Sequence, residues 1–178
     1  MRNIRSKMEN YIQDAEGTTA IELAFVAAPL LYFLLGIIEI ALMFTTSIVL
    51  EGATSDASRL IRTGAAQQSG DPQAIFEDAL CEGVSVLASC GDIQYEVIAI
   101  DEGFGGAAGN TATFNDDGSF ASQGFDAGGV SDVVLIRVIY QYALKTPILS
   151  QFFSDPGSDT RLMMSTIVLQ TEPYDFED

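Results

Sequence analysis

A chain of 178 residues with 25 acidic and 8 basic side chains has room for one modest domain plus an anchor, and its formal net charge is −17. That charge argues against nucleic acid and anionic membrane surfaces as partners. The chain has no histidine, which removes His-based acid/base chemistry and the common His-containing hydrolytic triads; with only two cysteines besides, zinc has too few conventional ligands. No catalytic residue, metal or cofactor is expected.

After a polar start, residues 16–50 read EGTTAIELAFVAAPLLYFLLGIIEIALMFTTSIVL. No charge falls between Leu23 and Ile38 or between Ile40 and Leu50. The 16 residues from Leu23 to Ile38 fall short of the ~20 that a helix needs to cross a ~30 Å hydrocarbon core. A spanning helix therefore keeps Glu22 or Glu39 in or near the apolar zone. Two placements stay open for these acids: near the headgroups of a tilted helix, or inside a bundle beside a partner.

Arg2, Arg5 and Lys7 precede the run and the next basic residue is Arg59, so the N-terminal side should stay cytoplasmic and the rest lie outside. The run exceeds the apolar core of a secretory signal, and no small-x-small site ends it. An uncleaved anchor, or one trimmed on its N-terminal side, fits better. Pro29 removes one backbone hydrogen bond and should bend or loosen the helix, which membrane helices tolerate. Ala20, Ala24, Ala27 and Ala28 offer a close-contact strip near its start.

Beyond Leu50 the apolar positions Ala53, Ala57, Leu60, Ile61 and Ala65 keep helical spacing, so the span continues as an amphipathic stalk. Gly64 weakens its end and SGDP at 69–72 punctuates it. Asp71 can cap a second helix with Pro72 at its first position, and that helix runs into Cys81. In an extracytoplasmic domain, Cys81 and Cys90 should form a disulfide across CEGVSVLASC.

Residues 93–100, 133–144 and 161–170 carry strand signals. The segment from Val133 to Tyr142 is mostly apolar on both faces, which predicts a central strand covered on one side by the stalk. The expected fold class is α+β, a long helix packed on a small, mostly antiparallel sheet.

Between the first two strands, residues 101–129 form a Gly-rich excursion, predicted as a long loop with a small hairpin around NDDG pinned by Phe114 and Phe120. Its GFGGAAG lacks the spacing and following helix of a nucleotide turn. Asp116, Asp117 and Asp126 lack the ligand order of a calcium loop.

Gly17, the segment Thr18–Ile21, Glu22, Pro29, Gly36 with Glu39, and Ala57 with Arg59 resemble the TadE-like family, minor pilins or pseudopilins of the bacterial Tad (tight adherence, Flp-type) pilus and secretion system. The resemblance extends more loosely to the two cysteines, RVIYQYALKTPIL and the final strand leading to QTEPY. It implies a pilin-like fold without enzymatic activity, and cleavage after Gly17 by the dedicated prepilin peptidase. Thr18 then becomes the mature terminus and Glu22 its fifth residue.

The implied organisation is a cytoplasmic leader (1–17), a span (18–50), a stalk (51–70) and a periplasmic domain (71–178) on a single pass through the inner membrane. The implied partners are the peptidase, other minor and major pilins, and an inner-membrane assembly platform. Glu22, Pro29, Gly36 and Glu39 are the candidate helix-register positions. Leu23 stands where major Flp pilins usually have Tyr, and the chain is much longer than they are, which favours a minor role. The alternative is a membrane-anchored periplasmic sensor or binding module that uses the acidic excursion.

Overall fold

The computed structural model describes residues 15–116 and 118–173. Most of the expected leader, with Arg2, Arg5 and Lys7, lies outside the described residues, as does Asp117 of the excursion. The chain forms two compact units, residues 1–40 and 41–178. Helix α1 (Ala15–Arg62) contributes to both and runs unbroken through Pro29.

In the first unit, α1 presents large apolar side chains around its whole circumference. Leu23, Phe25, Val26, Leu30 and Phe33 are each more than half exposed. A helix that is apolar all round needs lipid or protein for a solvent.

In the second unit the same helix becomes one-sided. Met43, Leu50, Ala53, Ala57 and Ile61 enter a core shared with Phe76, Leu80 and Val84 of α3 (Pro72–Val84). Gly64, at φ 74°, turns the chain out of α1 into the short α2 (Ala65–Gln68). Asp71 caps α3 by accepting a hydrogen bond from the Ala74 amide at 3.1 Å, with Pro72 opening the helix as read from the sequence. The Cys81–Cys90 disulfide, Cα atoms 5.2 Å apart, ties α3 to the turn that leads into the sheet.

The sheet is antiparallel in the order β1-β2-β3, with β1 Ile93–Ile100, β2 Val133–Ala143 and β3 Thr160–Gln170. Strand β2 is central and buried on both faces from Val133 to Ile139. Side chains alternate along a strand, so Val134, Ile136 and Val138 meet the helices while Leu135, Arg137 and Ile139 point to the second face.

The excursion departs from its reading as a loop. GFGGAAG folds into helix α4 (Gly103–Gly109), and it lies down against the end of β1 because Gly106 has no side chain. A Cβ there would stand 2.8 Å from both Ile100 Cγ2 and Glu102 Cβ. Phe114 and Phe120 close the hairpin expected around NDDG, with ring centroids 5.9 Å apart. The chain then crosses the outer edge of β1, where Val97 pairs with Phe125 in a parallel bridge. Phe125 packs against Phe76 and Tyr95 on the helix side of the sheet. The excursion is a strap that covers one face, seals one edge and plugs into the core.

Helices α1 and α3 touch through Ala53 and Gly83. A Cβ on Gly83 would lie 2.5 Å from Ala53 Cβ and 3.0 Å from its Cα. Gly83→Ala gains about 1 kcal/mol of helix propensity but forces the helices apart, so a net loss of about 1–2 kcal/mol is expected. Thermal unfolding followed by circular dichroism should show a lower midpoint; an unchanged or higher one would mean that the helices separate without cost.

Candidate functional site

The positions singled out on α1 fall mostly in the first unit. Gly17 lies in the first turns of the helix, and Thr18 and Glu22 are exposed. A helix turns about 100° per residue, so residues seven apart nearly eclipse. Glu22, Pro29 and Gly36 therefore form one stripe, a single carboxylate followed by two residues that weaken or thin the helix. The same spacing continues at Met43, Leu50 and Ala57, all buried in the second unit. Glu39, open between interface and partner in the sequence, is only 6 % exposed.

Sequence reasoning missed a second constellation. Glu96 in β1 and Arg137 in β2 are direct cross-strand partners. Their side chains are almost completely buried and form an ion pair through Glu96 Oε1 and Arg137 Nη1. The strap supplies a further partner to each: Arg137 Nη2 donates to the Asn110 carbonyl at 2.7 Å, and the Gln123 amide donates to Glu96 Oε2 at 3.0 Å. The Phe120 amide donates to Gln94 Oε1 at 3.2 Å, and Gln141 Nε2 donates to the Gly118 carbonyl at 3.3 Å. The only signal in the sequence was one acid and one base, each alone in the middle of an apolar strand.

A third cluster joins α3 to β1. The Tyr95 hydroxyl donates to Glu77 Oε1, and Gln73 Nε2 donates to Glu77 Oε1 at 2.9 Å and to Tyr95 Oη at 3.0 Å. Burial, reinforced by Glu77, pushes the Tyr95 phenol up to about 12. Its proton therefore stays in place and the hydroxyl remains a donor across the physiological range. Burial also raises the Tyr140 phenol, with the Asp92 charge adding to the shift.

None of these clusters is arranged for bond-making chemistry. The Glu96 and Arg137 valences are consumed by structure, and among the described residues no group of three His, Cys, Asp or Glu side chains is placed to hold a metal ion. A cleft of about 440 Å³ near the strap is lined by Phe114, Asp116, Gln141, Asp155, Ser158 and Thr160, and the Ser158 and Thr160 hydroxyls are engaged with each other and with nearby backbone. What the described residues do offer is an apolar helical segment, residues 18–38, with a single exposed carboxylate at Glu22, and an acidic domain.

Residues 17–59 match the family described as TadE-like protein. The match starts at Gly17, the residue expected to precede cleavage, and ends at Arg59 of the stalk. It thus takes in both the bare and the core-facing parts of α1. No curated protein and no solved structure matches the chain.

Arg137→Met leaves Glu96 buried without its partner and strips the Asn110 carbonyl of its donor. A stability loss of about 3–5 kcal/mol is expected in denaturant unfolding, together with protease cuts within residues 110–123. The double change Glu96→Leu with Arg137→Met removes both charges and should restore most of the stability. A single variant as stable as the parent would contradict the assigned role of the pair.

Proposed function

We propose that this protein is a membrane-held minor pilin-like subunit of a Tad/Flp-type system that supports assembly of the pilus or its secretion apparatus. The observation that carries the reading is the bare apolar helix of residues 18–38, matched as TadE-like from Gly17 onward. Such a helix requires lipid or other helices around it, and a pilin uses the two in turn.

In this reading the leader is removed after Gly17 by the prepilin peptidase, and Thr18 becomes a free amino terminus. The span, within residues 18–50, sits in the bacterial inner membrane, and the acidic domain projects into the periplasm. On assembly, a neighbour's Thr18 ammonium meets Glu22 within the apolar bundle. That pair fixes the register of one helix on the next, because a carboxylate left in an apolar bundle without a cation is costly. Pro29 and Gly36, on the Glu22 stripe, let a neighbouring helix approach closely along it. Other minor pilins, the major pilin and the inner-membrane assembly platform are the partners.

A binding module built on residues 101–129 is less well supported. That segment is held by its ion-pair contacts and by Phe125 in the core, so it is not a free recognition loop.

Glu22→Ala should insert normally yet co-purify with other Tad pilins about tenfold less or worse, since truncating one partner of a desolvated charge pair costs about 2–5 kcal/mol. Surface pili should fall with it, and the mature protein should begin at Thr18 by intact mass. Unchanged co-purification with unchanged pili would reject the Glu22 role, and a retained Met1 or Arg2 would reject processing.

A further inference from the structure

The two outer edges of the sheet are finished differently. In an antiparallel pair, residues whose N–H and C=O groups meet the neighbouring strand alternate with residues whose groups point away. Just beyond the two ends of the β2–β3 ladder, the Thr171 amide donates to the Asp132 carbonyl at 2.9 Å and the Leu144 amide to the Asp159 carbonyl at 3.0 Å. Both pairs continue the register that sets Val133 opposite Gln170 and Ala143 opposite Thr160. The odd-numbered residues of β3 therefore bond to β2, and the even-numbered ones turn their backbone groups outward.

On β1 the strap takes up such outward groups: the Val97 amide donates to the Gly124 carbonyl at 3.0 Å, and the Val97 carbonyl accepts from the Asp126 amide at 2.7 Å. On β3 the ends are closed. The Thr160 carbonyl accepts from the Asp155 amide at 2.8 Å, and the Leu162 amide donates to Asp155 Oδ2 at 2.6 Å. Past the other end, the Glu172 amide donates to the Arg62 carbonyl at 2.8 Å. Among the described residues, nothing takes up the outward N–H and C=O groups of Met164, Thr166 and Val168.

This stretch lacks the usual defences of an edge strand, which are charge, proline and bulges. β3 contains no proline, its register with β2 is unbroken, and no charge falls between Leu162 and Thr171. Met163 and Leu169 enter the core with the helices, so the even-numbered side chains stand on the other face, where Met164 is 51 % exposed and Val168 37 %. Two adjoining clefts of about 300 and 290 Å³ run beside these residues. One is lined by Ile167 to Leu169 with Ser55 and Arg59, the other by Met164 to Ile167 with Ser47 and Ser55. They give lateral room for a strand, which sits about 4.8 Å from its neighbour.

We propose that the outer edge of β3 is a docking site for an extended segment of another protein, apolar at alternate positions and basic at its ends. The open backbone groups select an extended chain, which adds to the sheet as a fourth strand. Met164 and Val168 select apolar side chains on one of its faces, and Ser47 and Ser55 of α1 suit small polar ones on the other. Charge selects the rest. Arg161 and Arg62 each face a carboxylate, Asp155 and Glu172, while Glu51 and Asp56 line the clefts and outnumber Arg59. After Leu50 the chain carries 20 acidic and 5 basic residues, a balance of −15. Such a field steers in a basic segment and repels a second copy of this chain. The site lies wholly within residues 41–178, and its test is independent of the span.

The probe is a short synthetic peptide of alternating valine and threonine with a lysine at each end, added to the full chain in detergent. Amide hydrogen exchange should slow about tenfold or more at Met164, Thr166 and Val168 and stay unchanged at Val97. Thr166→Pro removes an outward N–H without removing a bond to β2, a change that edge strands tolerate. It should weaken peptide binding about tenfold or more and leave the thermal midpoint in place. A peptide N-methylated along its backbone should not bind the parent chain, a comparison that does not depend on how the variant folds. A glutamate-ended peptide should bind about tenfold more weakly than the lysine-ended one; equal binding would overturn the basic partner. No slowing with the lysine-ended peptide, or slowing that survives both Thr166→Pro and N-methylation, would overturn the docking site. Slow exchange at these amides without peptide would overturn it as well: lost on dilution, it assigns the edge to a second copy; kept on dilution, it means that the chain covers its own edge.

Discussion

Every apolar side chain of α1 must lie against something other than water, and the helix meets that requirement differently along its length. From Met43 onward, one face is taken up by the sheet and α3, and the other exposes Phe44 and Ile48 first and then polar residues such as Glu51 and Arg59. Before that, the apolar residues surround the axis and have to find lipid or other helices. A helix that serves both environments cannot be shortened or rotated without exposing one of its ends. The small residues Ala53 and Ala57, and the glycine opposite Ala53 in α3, reflect how tightly the domain half is fixed.

The sheet poses the complementary problem. Helices α1 and α3 cover one face of β2, and a strand that is largely apolar on both faces needs a second cover. The strap supplies it, organised around the Glu96–Arg137 pair. Burying two charges is a poor source of net stability compared with two apolar residues. Here the pair gives direction: Glu96 accepts from the Gln123 amide and Arg137 donates to the Asn110 carbonyl, which fixes the strap at two points over the sheet. Phe125 then carries the strap over the β1 edge and back into the main core, leaving that edge less open to unwanted pairing.

Local chemistry made much of this legible in the sequence. Asp71 with Pro72 marked a helix start, the stalk residues kept a helical period, and the β-rich runs placed all three strands within about a residue of their observed ends. The cysteine pair and the Phe114–Phe120 hairpin were local as well. What escaped depended on residues distant in the chain. Glu96 and Arg137 are 41 positions apart, and only the sheet register brings them together. GFGGAAG reads as a loop because glycine disfavours helix, yet contact with the end of β1 holds it in one.

Thiol labelling along α1 in spheroplasts tests the division of the helix most directly. The two native cysteines are joined, so an engineered one at Leu34 or Glu51 reports alone. The account predicts that Glu51→Cys reacts with a membrane-impermeant maleimide from the periplasmic side and that Leu34→Cys reacts only after detergent is added. Equal labelling of both in intact membranes would contradict the assignment of the bare half of α1 to lipid, and labelling of Glu51→Cys only after lysis would reverse its orientation.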